Sequence, residues 1–193
     1  MRLAPSPFAR LVSLGSFVAA VACTAVTGCA TPAVEAPTEP LPPYMGEATE
    51  RFDDAIDPHA VGLELSSRVD PKNDPRVSAR AKASDVVLRA HIQTVTGEAG
   101  SGSRSYQIDF KTVERIAGKR PVGDEFRLHV EKTSPSIGIV RSMEGQLVGK
   151  TLVIYVKAFA RPDGQRDLHF HASADEKELI DAIKNLVLLD ELK

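Results

Sequence analysis

The chain has 193 residues, 42% of them hydrophobic and 26% charged, enough for one modest domain plus a tail. Residues 1–28 hold only Arg2 and Arg10 of the 24 basic residues, so the remainder carries 22 basic against 26 acidic residues, a formal charge of −4. That balance, with no Trp and only three Tyr, argues against a nucleic-acid partner, which needs clustered Lys and Arg for phosphates and aromatic faces for bases.

Arg2 and Arg10 precede an uncharged apolar run, Leu11 to Thr27. At 17 residues, and interrupted by Ser13, Gly15, Ser16 and Thr24, it falls short of the roughly 20 residues of a spanning helix and reads as a signal peptide. Directly behind it, Val26-Thr27-Gly28-Cys29 resembles the lipobox of bacterial lipoproteins: aliphatic, small, Gly or Ala, then Cys. The resemblance implies removal of residues 1–28 and diacylation of the Cys29 sulfur, with a further acyl chain on its new amine. Several acyl chains exceed the two-signal threshold for stable attachment to a bilayer. Ala30, where inner-membrane lipoproteins of Gram-negative bacteria tend to carry Asp, implies the outer membrane, facing the periplasm. Conventional cleavage after Ala20-Val21-Ala22 is the alternative reading. Under the lipobox reading Cys23 leaves and Cys29 is consumed, so disulfides, cysteine zinc sites and thiol nucleophiles are removed downstream.

Residues 29–50 read as the lipidated Cys and a tether, since Thr31 to Glu50 carries five prolines and no periodic apolar pattern. Its reach is about 25 Å as coil and about 60 Å if wholly polyproline-like. Residues 51–83 read as partly ordered: a helical turn over Arg51 to Ile56, then Asp74 capping a helix opened by Pro75. The acids Asp70 to Asp74 lack the central Gly and distal Glu of a calcium loop and read as a solvated turn.

Residues 84–193 read as the folded domain. Val86, Leu88, Ala90 and Ile92 alternate with polar residues, predicting a strand over Asp85 to Thr96. The Gly/Ser cluster Gly97 to Ser103 predicts a hairpin loop, and Tyr106, Ile108 and Phe110 open a second strand. Its apolar phase then shifts to Val113 and Ile116, which predicts a bulge or bend. Phe126, Leu128 and Val130 mark a third strand over Gly123 to Lys132. Thr133 to Gly149 breaks the pattern, with room for a short helix around Ile139 to Met143. Thr151 to Phe159 is almost continuously apolar, as in a strand buried on both faces. Arg161 to Gly164 is turn chemistry before a fifth strand, Asp167 to Ala172. Ser173 and Glu176 form a capping box for a helix with the stripe Leu179, Ile180, Ile183, Leu186 and Val187.

The domain is therefore mainly β, with a small five-stranded antiparallel barrel closed by a C-terminal helix and a β-sandwich as the alternative. Over residues 84–190 the strand order, the bend between Phe110 and Val113, and Leu147-Val148-Gly149-Lys150 leading into strand four resemble OB-like barrels and, more loosely, netrin-like domains. Some netrin-like proteins inhibit animal matrix proteases through the free amine of an N-terminal Cys. An acylated Cys29 lacks that amine, and the disulfides of those inhibitors have no counterpart.

His169 and His171 project from one face of the fifth strand, and His129 lies on the third; three imidazoles are a zinc-ligand set. The competing reading places them on a solvated face, since no HExxH helix is present and a fourth ligand is unspecified. The pairs Asp53-Asp54, Asp175-Glu176 and Asp190-Glu191 read as solvated acids in a linker or at helix ends. No G-x-S-x-G elbow occurs. The expectation is a lipid-anchored envelope protein without catalytic residues or cofactor beyond the lipid, binding another envelope protein or peptide. The alternatives are a metal- or small-molecule-binding enzyme on the His129, His169 and His171 face, and a pilotin-like secretion or pilus assembly factor.

Overall fold

Period-two alternation of apolar side chains builds a sheet that is buried on both faces over much of its area. A computed structural model describes residues 40–63, 69–99, 104–118 and 122–192; the lipobox, Cys29 and the signal residues lie outside them. Five strands pair antiparallel: β2 (Val86–Ala99), β3 (Arg104–Gly118), β4 (Glu125–Val130), β5 (Thr151–Ala160) and β6 (Arg166–Ala174). A two-residue strand, β1 (Ala55–Ile56), adds to β6 in parallel, giving the order β1-β6-β5-β2-β3-β4. The fold is mainly β, as expected, but the sheet is a mixed, curled half-barrel and not a closed five-stranded antiparallel barrel.

The reason lies at the free edge of β6. There Asp54 N donates to Phe170 O (2.9 Å) and Asp57 N to Ala172 O (2.7 Å), so residues 54–57 occupy the edge that barrel closure against β4 needs. The far side of the same segment meets two serines from the connection behind β4. Ser134 Oγ donates to Asp54 O (2.7 Å), Ile56 N donates to Ser136 Oγ (2.5 Å), and Ser136 Oγ donates to Ile56 O (3.2 Å). The gap is thus bridged by an inserted segment held by a ladder on one side and by side chains on the other. The helical turn expected over Arg51 to Ile56 is displaced: α1 is Glu47–Arg51, and Ala55–Ile56 is extended.

The phase shift in β3 resolves into register irregularities. Val113 has no partner between Thr112↔Ala90 and Glu114↔Arg89, and Ile116 has none between Arg115↔Leu88 and Ala117↔Val87. The second skip puts Ile116 and Ala117 together in the outer core, while Val113 is left exposed. Of the expected hairpin loop, Gly97, Glu98 and Ala99 continue β2, and residues 100–103 lie outside the described residues.

Two cores result. Leu88, Ile92, Phe110, Leu128 and Phe170 pack on the inner face beneath α3 (Ile137–Leu147), which is longer than expected and kinked at Met143 (φ −123°, ψ 18°). Val87, Val153, Tyr155, Leu179 and Ile183 form the outer core, joined by side chains from α2 (Pro75–Ala83). β5 supplies both cores from alternate residues, as its continuous apolar run predicts. Asp74 caps α2 through Arg76 N (2.9 Å). The last helix, α4 (Lys177–Glu191), covers the outer face and not the mouth of a barrel. Its expected capping box is absent: Ser173 stays in β6 opposite Val153, Glu176 is the N-cap residue without a side-chain cap bond, and Asp175 forms a two-bond ion pair with Arg89 (both 2.7 Å).

Ser136 is 1% exposed, so its hydroxyl is the partner that Ile56 N–H and C=O have on that side of β1. Ser136→Ala strands both groups and is expected to cost about 2–3 kcal/mol, a fall of roughly 5–10 °C in Tm by thermal unfolding. An unchanged Tm would show that the bridge does not hold the segment in place.

Candidate functional site

β6 alternates Phe170, Ala172 and Ala174 into the inner core with His169 and His171 on the other face. That face is packed, not wet. His171 is 7% exposed and lies beside Tyr155, with ring centroids 6.4 Å apart, and His169 meets the edge of Phe159 at 5.6 Å.

The inserted segment brings a carboxylate to each imidazole. Asp53 Oδ1 lies 2.8 Å from His171 Nδ1, and Asp54 Oδ2 lies 2.7 Å from His169 Nδ1. The other oxygen of Asp54 accepts from Phe170 N (3.0 Å). With an ionised carboxylate as partner, Nδ1 of each ring carries a proton. Asp54 makes these contacts from φ 51°, the one positive φ outside glycine among the described residues. Asp is a residue type that tolerates the left-handed region, and this kink turns the chain from α1 into β1 while aiming both acids at β6.

An aromatic layer closes over the pair from the N-terminal side. The Tyr44 ring stacks on His169 at 3.5 Å between centroids and 9° between planes, and its hydroxyl donates to Phe52 O (2.5 Å). Phe159 touches both Tyr44 (5.1 Å) and Phe52 (5.9 Å). Docking of this segment begins before Tyr44, since Ala160 N donates to Pro42 O (2.9 Å) and Pro43 bridges Ala160 in parallel. Burial pushes the Asp54 carboxyl above its ordinary value, opposed by the hydrogen bond and charge of His169. Burial, then the negative charges of Asp54 and Asp53, push the Tyr44 phenol up to about 12.

Beside the stack lies an open cleft of about 630 Å3. Pro43, Tyr44 and Met45 form one wall, Ala160 to Pro162 another, and Glu131, Asp167 and His169 complete it. Asp167 Oδ2 is 3.9 Å from His169 Nε2, and Arg161 Nε is 3.7 Å from Asp163 Oδ2.

Of the three expected imidazoles, the structure brings two together. His129 is exposed on β4 opposite Gln107, with β3, β2 and β5 between it and β6 in the sheet order. Among the described residues no group of three His, Cys, Asp or Glu side chains is placed to hold a metal ion. The reading of His169 and His171 as solvated is corrected, as is that of Asp53 and Asp54: all four are tied into paired contacts, and Asp54 is 8% exposed. The signal for the two acids is their flanks, since Phe52 and Ala55-Ile56 mark a chain passing through a core. Asp190 is exposed at the end of α4, as expected, and Cys29 with Val26, Thr27 and Gly28 lies outside the described residues. No family model matches this chain, and no curated protein sequence matches it.

Asp54→Ala removes the partner of Phe170 N and of His169 and places Ala in a left-handed conformation; the expected cost is about 3 kcal/mol, or roughly 10 °C in Tm. Asp54→Asn keeps the backbone conformation and an acceptor for Phe170 N, and is expected to stay within about 1 kcal/mol. A raised carboxyl value means the folded state binds the Asp54 proton more readily than the unfolded chain. Its stabilising contribution is therefore fully present below the unfolded value, near 3.8, and is lost as pH rises through the higher folded value. Wild type should accordingly gain Tm relative to Asp54→Asn as pH falls through that window, measured by parallel thermal melts.

Proposed function

We propose that this chain is a lipoprotein of the bacterial outer membrane whose residues 40–192 form a periplasmic binding module without catalytic activity. The observation that carries the reading is Val26-Thr27-Gly28-Cys29 behind a charged start and an apolar run. Spacing supports it: 12 residues separate Cys29 from Pro42, where hydrogen bonding to β5 begins. That stretch reaches on the order of 20 Å as coil and about 40 Å as polyproline helix, a short leash that keeps the domain near the bilayer. None of the helices among the described residues is long and apolar enough to cross a membrane.

The meander β2-β3-β4, the helix α3 and the hairpin β5-β6 returning beside β2 follow the order of an OB-like barrel, which supports that finer reading of the half-barrel. The His169 ring is stacked under Tyr44 and the His171 ring is buried beside Tyr155, which supports a packing use of these side chains.

The test is Cys29→Ser in the full-length chain, followed by membrane fractionation and mass spectrometry of the N-terminus. Wild type is expected in the outer-membrane fraction with an acylated Cys29, and the variant is expected unacylated and absent from that fraction. Equal distribution of both proteins would overturn the anchor. Crosslinking in intact cells then tests the module: a specific envelope partner is expected, and its absence would remove the binding reading.

A further inference from the structure

The cleft beside His169 combines an apolar wall with carboxylates from two different elements. Tyr44, Pro43 and Pro162 offer flat apolar surface, Asp167 comes from β6, and Glu131 comes from the end of β4. The charged groups facing it are Glu131, Asp167, Arg161 and His169. Arg161 is paired with Asp163, and His169 Nδ1 is engaged by Asp54, so neither group is left to offset the acids. Among the described residues the Glu131 carboxylate has no recorded partner, and the Asp167 side chain accepts only from Leu168 N (3.0 Å) besides its distant approach to His169. The site is therefore electronegative.

Resting on the binding-module reading above, we infer that this cleft takes an Arg or Lys side chain from an extended segment of a partner protein. The alkyl stem lies along Tyr44 and Pro162, and the cationic head sits between Glu131 and Asp167. A volume of about 630 Å3 accommodates such a side chain with its flanking backbone. Long basic side chains suit this mixture, because their stems are apolar and their heads pair strongly with carboxylates. The chain's own tether is the neighbouring competitor for the cleft, but residues 30–41 carry Glu35 and Glu39 and no basic residue, so its charge is wrong. A second copy, with its acidic excess, is a poorer match than a basic segment.

The test uses the full-length protein in detergent and three labelled probes followed by fluorescence anisotropy: an Ala-Pro pentapeptide with a central Arg, the same peptide with neutral citrulline, and N-acetyl-arginine amide. The Arg pentapeptide is expected to bind at least about tenfold more tightly than the citrulline peptide and than the single amino-acid amide. The double variant Glu131→Gln with Asp167→Asn should lose about tenfold in affinity while keeping its Tm, since both side chains are at the surface. Equal binding of Arg and citrulline peptides, or wild-type affinity in the double variant, would overturn the inference. Full affinity for N-acetyl-arginine amide would overturn the peptide part and assign the site to a small guanidinium ligand. Failure of all probes with a specific crosslinked partner in cells sinks this inference alone, whereas loss of that partner sinks the binding reading itself.

Discussion

The structure depends on the passage of residues 52–57 between β6 and the serines behind β4. A curled sheet leaves unpaired backbone groups at its two edges, and burying such groups costs more than any single side-chain contact returns. Here the edge of β6 is satisfied by Asp54, Asp57 and the Asp54 carboxylate, while the outer groups of Asp54 and Ile56 are satisfied by Ser134 and Ser136. One short segment therefore joins elements about 80 and 115 residues later in the chain. Such contacts carry a large loop-closure entropy, so they are expected to form late in folding, after the β2-β3 hairpin and α3 are in place.

The long strands were legible because their burial is one-sided and periodic. β4 alternates Phe126, Leu128 and Val130 with charged residues, and β5 reads as doubly buried because Val153 and Tyr155 enter one core while Ile154 and Val156 enter the other. The phase break after Phe110 also pointed to its true cause, since Val113 and Ile116 are the residues of β3 skipped in the ladder. What could not be read is whatever depends on distant partners. The apolar flanks Phe52 and Ile56 mark a chain that passes through a core, but they do not show that Asp53 and Asp54 aim at imidazoles, because the histidines that bind them come from β6. Likewise Ser173 and Glu176 have the spacing of a capping box, but strand pairing holds Ser173 in β6 and the Arg89 ion pair takes Asp175, so the helix begins at Lys177.

The same logic separates the histidines. Two-residue spacing guarantees that His169 and His171 share a face of β6, and it says nothing of which face is covered. The covering layer is supplied by Tyr44 and Phe52, residues that composition alone assigns to a proline-rich approach and a linker. His129 shares the outer face of the sheet but has three strands between it and β6, and on β4 the charged residues Glu125 and Arg127 are exposed beside it.

The docked segment from Pro42 to Met45, the aromatic layer and the cleft are then parts of one arrangement. Pro42 and Pro43 lock onto Ala160, Tyr44 stacks on His169, and Met45 continues the wall, so the residues that lead into the domain also form one side of the cleft. The opposite side is built from β6 and from Glu131 at the end of β4, elements already drawn together by the inserted segment. Any molecule seated there contacts residues 43–45 and the strands at once, and peeling of residues 42–45 from β5 would open the wall and uncover His169. Binding in the cleft and docking of residues 42–45 on β5 therefore favour each other.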